Sequence, residues 1–233
     1  EYYPTIFFFC FSLFIILGDL VVREDSAEQQ YSKLYLLNLP MYLNFPLLTI
    51  ILLISAFMLG DVPQNAFTNI ISTYLNINIL EVRDSLNIYD SIFLVAQMGL
   101  FIGIMGTVPG HELVHRKKSK FDMFMGNWLL ALSWDCAFAL EHVHGHHKNV
   151  GLPSDPATAR RGENIYSFIV KATFKEHRDA WKIELDQMKR RNIPLLSMRN
   201  KMILGYLRSA SIIILAFFIG GLKGALFFLL FSF

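Results

Sequence analysis

Four stretches of this 233-residue chain, 3–22, 34–60, 91–110 and 204–233, each run to about twenty or more predominantly apolar residues. A helix of about twenty such residues crosses the hydrocarbon core of a bilayer. Hydrophobic residues make up 54% of the chain, 21 of them Phe, where an ordinary soluble domain reaches about 45–50% even with Gly counted. In lipid the backbone must satisfy its own hydrogen bonds, so the expected fold is all-α: an integral membrane helical bundle with about four spans. Pro40 and Pro46 predict a kink in the second span, and Gly220-Gly221 predicts a break in the fourth. Cys10 and Cys136 stand far apart in apolar context and read as buried thiols, not as a disulfide framework.

The ends carry expectations of their own. The chain starts at Glu1, and EYYPT offers neither a basic n-region nor a cleavage site. At the other end apolar residues continue to Phe233. Residues 1–233 are therefore expected to form one membrane domain, truncated at both ends within a longer polypeptide.

Charge sets the expected orientation. Arg23 and Lys33 lie between the first two spans, Arg83 is the only basic residue of 61–90, and RKKSK fills 116–120. Segment 148–202 holds twelve Lys/Arg against six Asp/Glu. The excess of Lys and Arg on cytoplasmic loops puts 23–33, 116–120 and 148–202 inside and 61–90 outside. Residues 123–140 are apolar but carry Asn127, Asp135 and two Trp. Were they to cross, the basic segment would be outside, so they are expected to form an interfacial or re-entrant helix, with 141–202 cytoplasmic.

Six of the seven histidines fall between His111 and His147. In HELVH, His111 and His115 stand at i and i+4, on one face of a helix and close enough to share a metal. In EHVHGHH, His142 and His146 repeat that spacing and His147 follows. Imidazole ligates metals without adding charge. HExxH alone suggests a zinc hydrolase with Glu as general base, but such a site needs only three protein ligands. Five or six His suit a two-metal centre better, and imidazole suits iron.

HELVHR (111–116), EHVHGHH (141–147) and SDPATARRGE (154–163) resemble the membrane alkane 1-monooxygenases, histidine-box hydroxylases of the fatty-acid-desaturase superfamily. The likeness covers roughly residues 10–233, is strongest from 106 to 185, and extends to RDAWKIE (178–184). It implies a non-haem centre of two iron ions held by His111, His115, His142, His146 and His147, with O2 as co-substrate and an aliphatic chain as the molecule hydroxylated. His144 occupies a position where the family often has another residue, and its role as a ligand stays open. Two further boxes of the family, an EHYG type and an HxxHH, have no counterpart in this sequence, so the ligand set here is expected to be incomplete. Glu112 and Glu141 read as carboxylates that orient ligand imidazoles; a plain surface role is the competing reading of Glu112. Asp155 either reaches a ligand histidine or forms the turn before Pro156.

Other residues carry lesser expectations. Asp19 reads as a site residue or as a headgroup-level partner of Arg23. Phe7, Phe8, Phe9 and Phe11 read as packing or as a channel lining, and His177 as a solvated surface residue. The basic segment suits anionic lipid or an acidic electron carrier, a rubredoxin or ferredoxin served by its own reductase; the sequence carries no flavin or nicotinamide fingerprint. A nucleic-acid partner is not expected. The resemblance places the protein in a bacterial inner membrane with the histidine boxes facing the cytoplasm. A fatty-acyl desaturase with the same iron chemistry, a membrane zinc metalloprotease built on HELVH, and a metal transporter are the alternatives.

Overall fold

The computed structural model describes residues 2–22 and 34–232. The loop cations Arg23 and Lys33, used above for orientation, lie outside the described residues. Among those residues there is no strand. Four helical stretches, Tyr3–Val21, Tyr35–Met58, Ile88–His115 and Lys201–Ser232, are long and apolar enough to cross a membrane. The chain divides into two compact units, residues 1–105 with 213–233, and residues 106–212.

In the first unit α1 (Tyr3–Val21) buries none of its residues, which suits a helix whose faces meet lipid. It packs along α5 (Ile88–Phe101), after α2 (Leu34–Met58) and the short α3 (Ala66–Leu75) and α4 (Ile79–Asp84). Phe8 and Phe9 stack against Phe93, with ring centroids 5.2 and 4.8 Å apart, while Phe7 and Phe11 meet Phe101 at 6.4 and 5.2 Å. Those phenylalanines therefore pack helix to helix. Asp90, fully buried, caps α5 with Asn87 and accepts the Thr5 hydroxyl at 2.8 Å. Asp19 is exposed on α1. Cys10 is exposed on the same helix, where the sequence predicted a buried thiol; its context is apolar because the helix surface is.

Helix α2 continues through Pro40 and Pro46. Its C-terminal end meets the long terminal helix around Gly220 and Gly224 through small residues. A Cβ on Gly60 would run into the Gly220 backbone, and one on Gly220 or Gly224 into the carbonyl of Ala56. Small residues spaced four apart let helix backbones approach where lipid offers no hydrophobic drive. Gly221, at φ 70° and ψ −169°, breaks the terminal helix at the expected place; only glycine adopts that conformation cheaply.

The second unit opens where α5 passes through a π segment, Ile102–Thr107, into α6 (Val108–His115). Helix α7 (Lys120–Ala131), capped by Ser119, packs closely on α6. The approach depends on Gly110 and Gly126, each facing the other's carbonyl. The single helix expected over 123–140 is two. Helix α7 ends at Ala131, the chain turns through Trp134 at φ 57°, and α8 (Phe138–Glu141) begins where Asp135 Oδ1 accepts the Phe138 N–H at 3.2 Å. Apolar content marked the stretch as helical, but Asp135 competes for the backbone as a cap. A second π segment, His142–His146, leads into α9 (His147–Asn149). Helix α10 (Ile165–Arg190) packs on α8, and α11 (Lys201–Ser232) contributes its first turns to this unit. Cys136, Ala137, Leu140, Ala180 and Met202 form one buried cluster, flanked by Trp181 and Tyr206.

Burial first, then the negative charge of Glu176, pushes the Asp135 carboxyl up from 3.8 to about 7, against the lowering effect of the Phe138 N–H. An acid whose folded value is raised binds its proton more tightly folded than unfolded, so stability falls as pH rises from 3.8 towards 7. The cost is fully present above that window. Asp135→Asn keeps the cap acceptor and removes the charge. It is expected to stabilise the protein by about 1–3 kcal/mol at pH 8 and little at pH 4. Melting in detergent at both pH values checks this; parallel pH profiles for the two proteins would refute it.

Candidate metal centre

Five histidines converge within the second unit. His111 and His115, one turn apart on α6, bring their Nε2 atoms to 2.8 Å. From the other helical run, His142 and His147 bring theirs to 3.0 Å. The two pairs meet: His142 lies 4.4 Å from His111 and 5.2 Å from His115, and His147 lies 4.9 Å from His115, between ring centroids. One nitrogen from each of His111, His115 and His142 falls within 4.8 Å of the others, close enough to hold a single ion.

The π segment changes which residues of EHVHGHH pair. The α-helical spacing predicted His142 with His146. The wider π turn closes i to i+5, so His142 instead reaches His147. His146 remains beside the cluster, its ring 5.2 Å from His142, but its Nδ1 turns to Asp155 Oδ2 at 2.9 Å. His144 stands apart from the five and lines a separate cavity with Lys117, Lys201 and Arg208. Gly145 serves the packing here, since a Cβ on it would strike the Glu141 carboxylate.

The donor set fits a transition metal. Two imidazole nitrogens about 2.1 Å from one ion and at right angles to it lie about 3 Å apart, as both Nε2 pairs do. Burial, followed by repulsion from His111, His147, His146 and His115, lowers the His142 pKa to about 4, so this ring is neutral and has a lone pair at neutral pH. Phe138 stacks on His142 at 4.4 Å and edges onto His111 at 5.1 Å. Sequence reasoning missed this phenylalanine; its place at i−4 from His142 on one helical run was the available signal.

The carboxylates divide. Glu112, read as orienting an imidazole, is mostly exposed and holds Arg116 at 2.9 Å instead. It lies next to His111 in sequence, so on a helix it projects about 100° away from the ligand face. Glu141 is buried, and its carboxyl is pushed up to about 7, by burial first and then by Glu176, Asp155, Asp179 and Asp135. No hydrogen bond joins it to an imidazole among the described residues. Asp155 is buried and does both things proposed for it. It accepts from Ala157 N–H at 3.0 Å and Thr158 Oγ1 at 2.5 Å, shaping the turn, and it faces His146. Burial alone would raise its pKa, but the bonds from Thr158, Ala157 and His146 outweigh that and hold it below the ordinary value. Glu176, on α10, was not singled out from the sequence, yet its charge reaches His146, Glu141 and Asp135.

His177 is not a solvated surface residue. It is half-buried, with Nε2 2.8 Å from the Tyr206 hydroxyl, which also accepts from Trp181 Nε1 at 2.9 Å. Helix α10 is amphipathic, and its inner face carries His177 towards α11 despite the charged neighbours in sequence. Cys136 is buried, and burial, then Asp135, pushes its thiol up to about 12, so it stays protonated.

Helical architecture of membrane-spanning length with a cluster of imidazoles at the end of one such helix defines a class of histidine-rich membrane protein with a candidate metal site. The sequence model of the fatty acid desaturase family matches residues 91–233, and the chain belongs to that family. It is similar to alkane 1-monooxygenase 2 of Pseudomonas aeruginosa, 36% identical over 138 residues, covering 58% of this chain and 36% of that protein. It is 33% identical over 135 residues to alkane 1-monooxygenase 2 of Alcanivorax borkumensis, covering 58% of this chain and 35% of that protein. The xylene/toluene monooxygenase hydroxylase component XylM of Pseudomonas putida is 34% identical over 96 residues, covering 41% and 26%. The chain thus matches about a third of the length of the alkane monooxygenases.

Proposed function

We propose that this chain carries part of the metal centre of a membrane non-haem di-iron monooxygenase that hydroxylates an alkane or another aliphatic chain. The observation that carries the reading is the convergence of His111, His115, His142, His146 and His147 from two helical runs, at spacings that suit metal ligation. Similarity to alkane 1-monooxygenases supports the hydroxylase branch over a desaturase.

Two irons would supply the reduction of O2 by two external electrons, with one oxygen atom passing to the substrate and the other leaving as water. The chain's own residues hold and orient. His111, His115, His142 and His147 present Nε2 atoms in two close pairs, and these nitrogens, unprotonated, would hold the metal. Asp155 accepts the Nδ1 proton of His146, which fixes the tautomer and leaves Nε2 free to ligate. Phe138 packs against His142 and His111 and fixes the face that those two rings present. The chain forms one membrane domain, with its histidine boxes and basic segment 148–202 facing the cytoplasm of a bacterial inner membrane. A rubredoxin or ferredoxin with its reductase brings the electrons, steered by that segment's twelve cations against six acids.

The test is metal and product together. The gene product, purified in detergent, is expected to hold about two irons per chain and to form alcohol from alkane, O2 and a reduced carrier. An olefinic acyl product would move the assignment to a desaturase. A single zinc without O2 uptake would end it in favour of a metalloprotease on HELVH.

A further inference from the structure

The second unit contains a cavity of about 320 Å³ that none of the five converging histidines lines. Its polar wall carries Lys117 from the turn after α6, Lys201 and Arg208 from α11, and His144. Its apolar wall includes Val114, Leu140 and Leu204. His144 follows His142 by two residues, which on a helical run points it to the opposite side from the imidazole cluster. That geometry explains why the second histidine of EHVHGHH stands apart from its neighbours.

Three cations from two separate elements share this cavity, and no carboxylate lines it. Arg116, Lys171, Arg178 and Lys182 of the same unit have carboxylate partners, while other lysines and arginines of the unit have none among the described residues; what sets the cavity apart is that three cations line one space. Lys117, Lys201 and Arg208 have no ion-pair partner among the described residues. Glu184 is buried outside the cavity lining; its Oε1 accepts the Lys201 backbone N–H at 2.7 Å, and its Oε2 takes no hydrogen bond from any of the three cations. Arg208 is half-buried and lies seven residues into a helix of membrane-spanning length, about 10 Å along it from Lys201. A cation withdrawn from water without a counter-charge is costly, and gathering two more beside it adds repulsion. An anion in the cavity offsets both terms. Apolar walls beside the cations suit an anion that carries a hydrocarbon tail, and the position along a membrane helix gives such a molecule access.

We propose that this cavity binds the anionic headgroup of one membrane amphiphile, with Lys117, Lys201 and Arg208 taking the headgroup oxygens and Val114, Leu140 and Leu204 the first methylenes of the tail. A lipid phosphate and a fatty-acid carboxylate share this chemistry. The site is separate from the metal centre and does not depend on its occupancy.

Native mass spectrometry of the detergent-purified protein tests it, with phosphatidylglycerol, phosphatidylcholine of the same chains, oleate and inorganic phosphate as probes. One phosphatidylglycerol or one oleate per chain should be retained in preference to phosphatidylcholine, and which of the two is held identifies the source. Arg208→Gln should weaken retention roughly tenfold or more, the effect of losing a hydrogen bond to a charged group. Arg208→Lys should restore most of it. If Arg208→Gln fails to fold, the exposed pair Lys117→Gln/Lys201→Gln carries the same expectation. His111→Ala should leave retention unchanged, which separates failure here from failure of the metal site. Equal retention of phosphatidylglycerol and phosphatidylcholine, or retention unaltered in the Gln variants, overturns the proposal. Binding of inorganic phosphate with no amphiphile held also overturns it.

Discussion

His142→Ala is expected to strip the metal from the purified protein, lowering affinity by more than the 10–100-fold that loss of a supporting partner costs. His142 is the ring on which the site turns. It lies within 5.2 Å, centroid to centroid, of His111, His115, His146 and His147, and its Nε2 faces that of His147 at 3.0 Å. Removing it breaks the His142–His147 pair and takes away the ring that connects His147 and His146 to His111 and His115. The ring is half-buried and its helical segment is held by other residues, so helical content should survive. His144→Ala, two residues on, is the control: its ring takes no part in the cluster, and metal content should stay at the parent value. Elemental analysis with circular dichroism on each variant settles the matter. Parent metal content in His142→Ala would sink the assignment, as would an equal loss in His144→Ala.

Gly126→Val is expected to disturb the same centre from a distance. A Cβ at Gly126 would sit 2.9 Å from Val114 Cγ1, 3.0 Å from the Gly110 carbonyl and 3.0 Å from Leu113 Cβ. Backbone and buried side chains surround it, so no flexible group can give way. The helix α6 must back off from α7 and carry His111 and His115 with it. Overpacking of this kind costs about 1–3 kcal/mol, and a ligand pair displaced by even half an ångström loses its match to the other helix. Thermal melting in detergent should fall for Gly126→Ala and further for Gly126→Val, with metal content falling in the same order. A Gly126→Val protein with parent stability and parent metal would show that the two helices are not held by this contact.

Much of the architecture was legible because lipid enforces a simple rule: a backbone in hydrocarbon must close its own hydrogen bonds, so a long apolar run is a helix. Gly221 marked the break in the last helix for an equally local reason. The histidines were legible as a group by their density and their spacing in HELVH. Their pairing was not. The i, i+4 reading of His142 and His146 assumed an α-helix, and a π turn, which leaves no clear trace in residue type, moved the partner to His147. The helix expected over 123–140 failed because Asp135 was weighed as a polar interruption and not as a cap. His177 was misplaced, and Glu112 took the surface role that had been its competing reading, since the charge of neighbouring residues says little about which face of a helix turns inward.

The sequence by itself determined the all-helical membrane class, the family and the set of imidazoles, because each rests on composition or on short-range spacing along one chain segment. Only the tertiary structure decided which histidines face one another, that Asp155 rather than Glu112 meets an imidazole, and that His144 joins three lysine and arginine side chains on the other side of its helix. Those outcomes depend on the packing of α6 against α7 and of α8 against α10. Contacts between segments tens of residues apart are set by shape and burial, which no local pattern encodes.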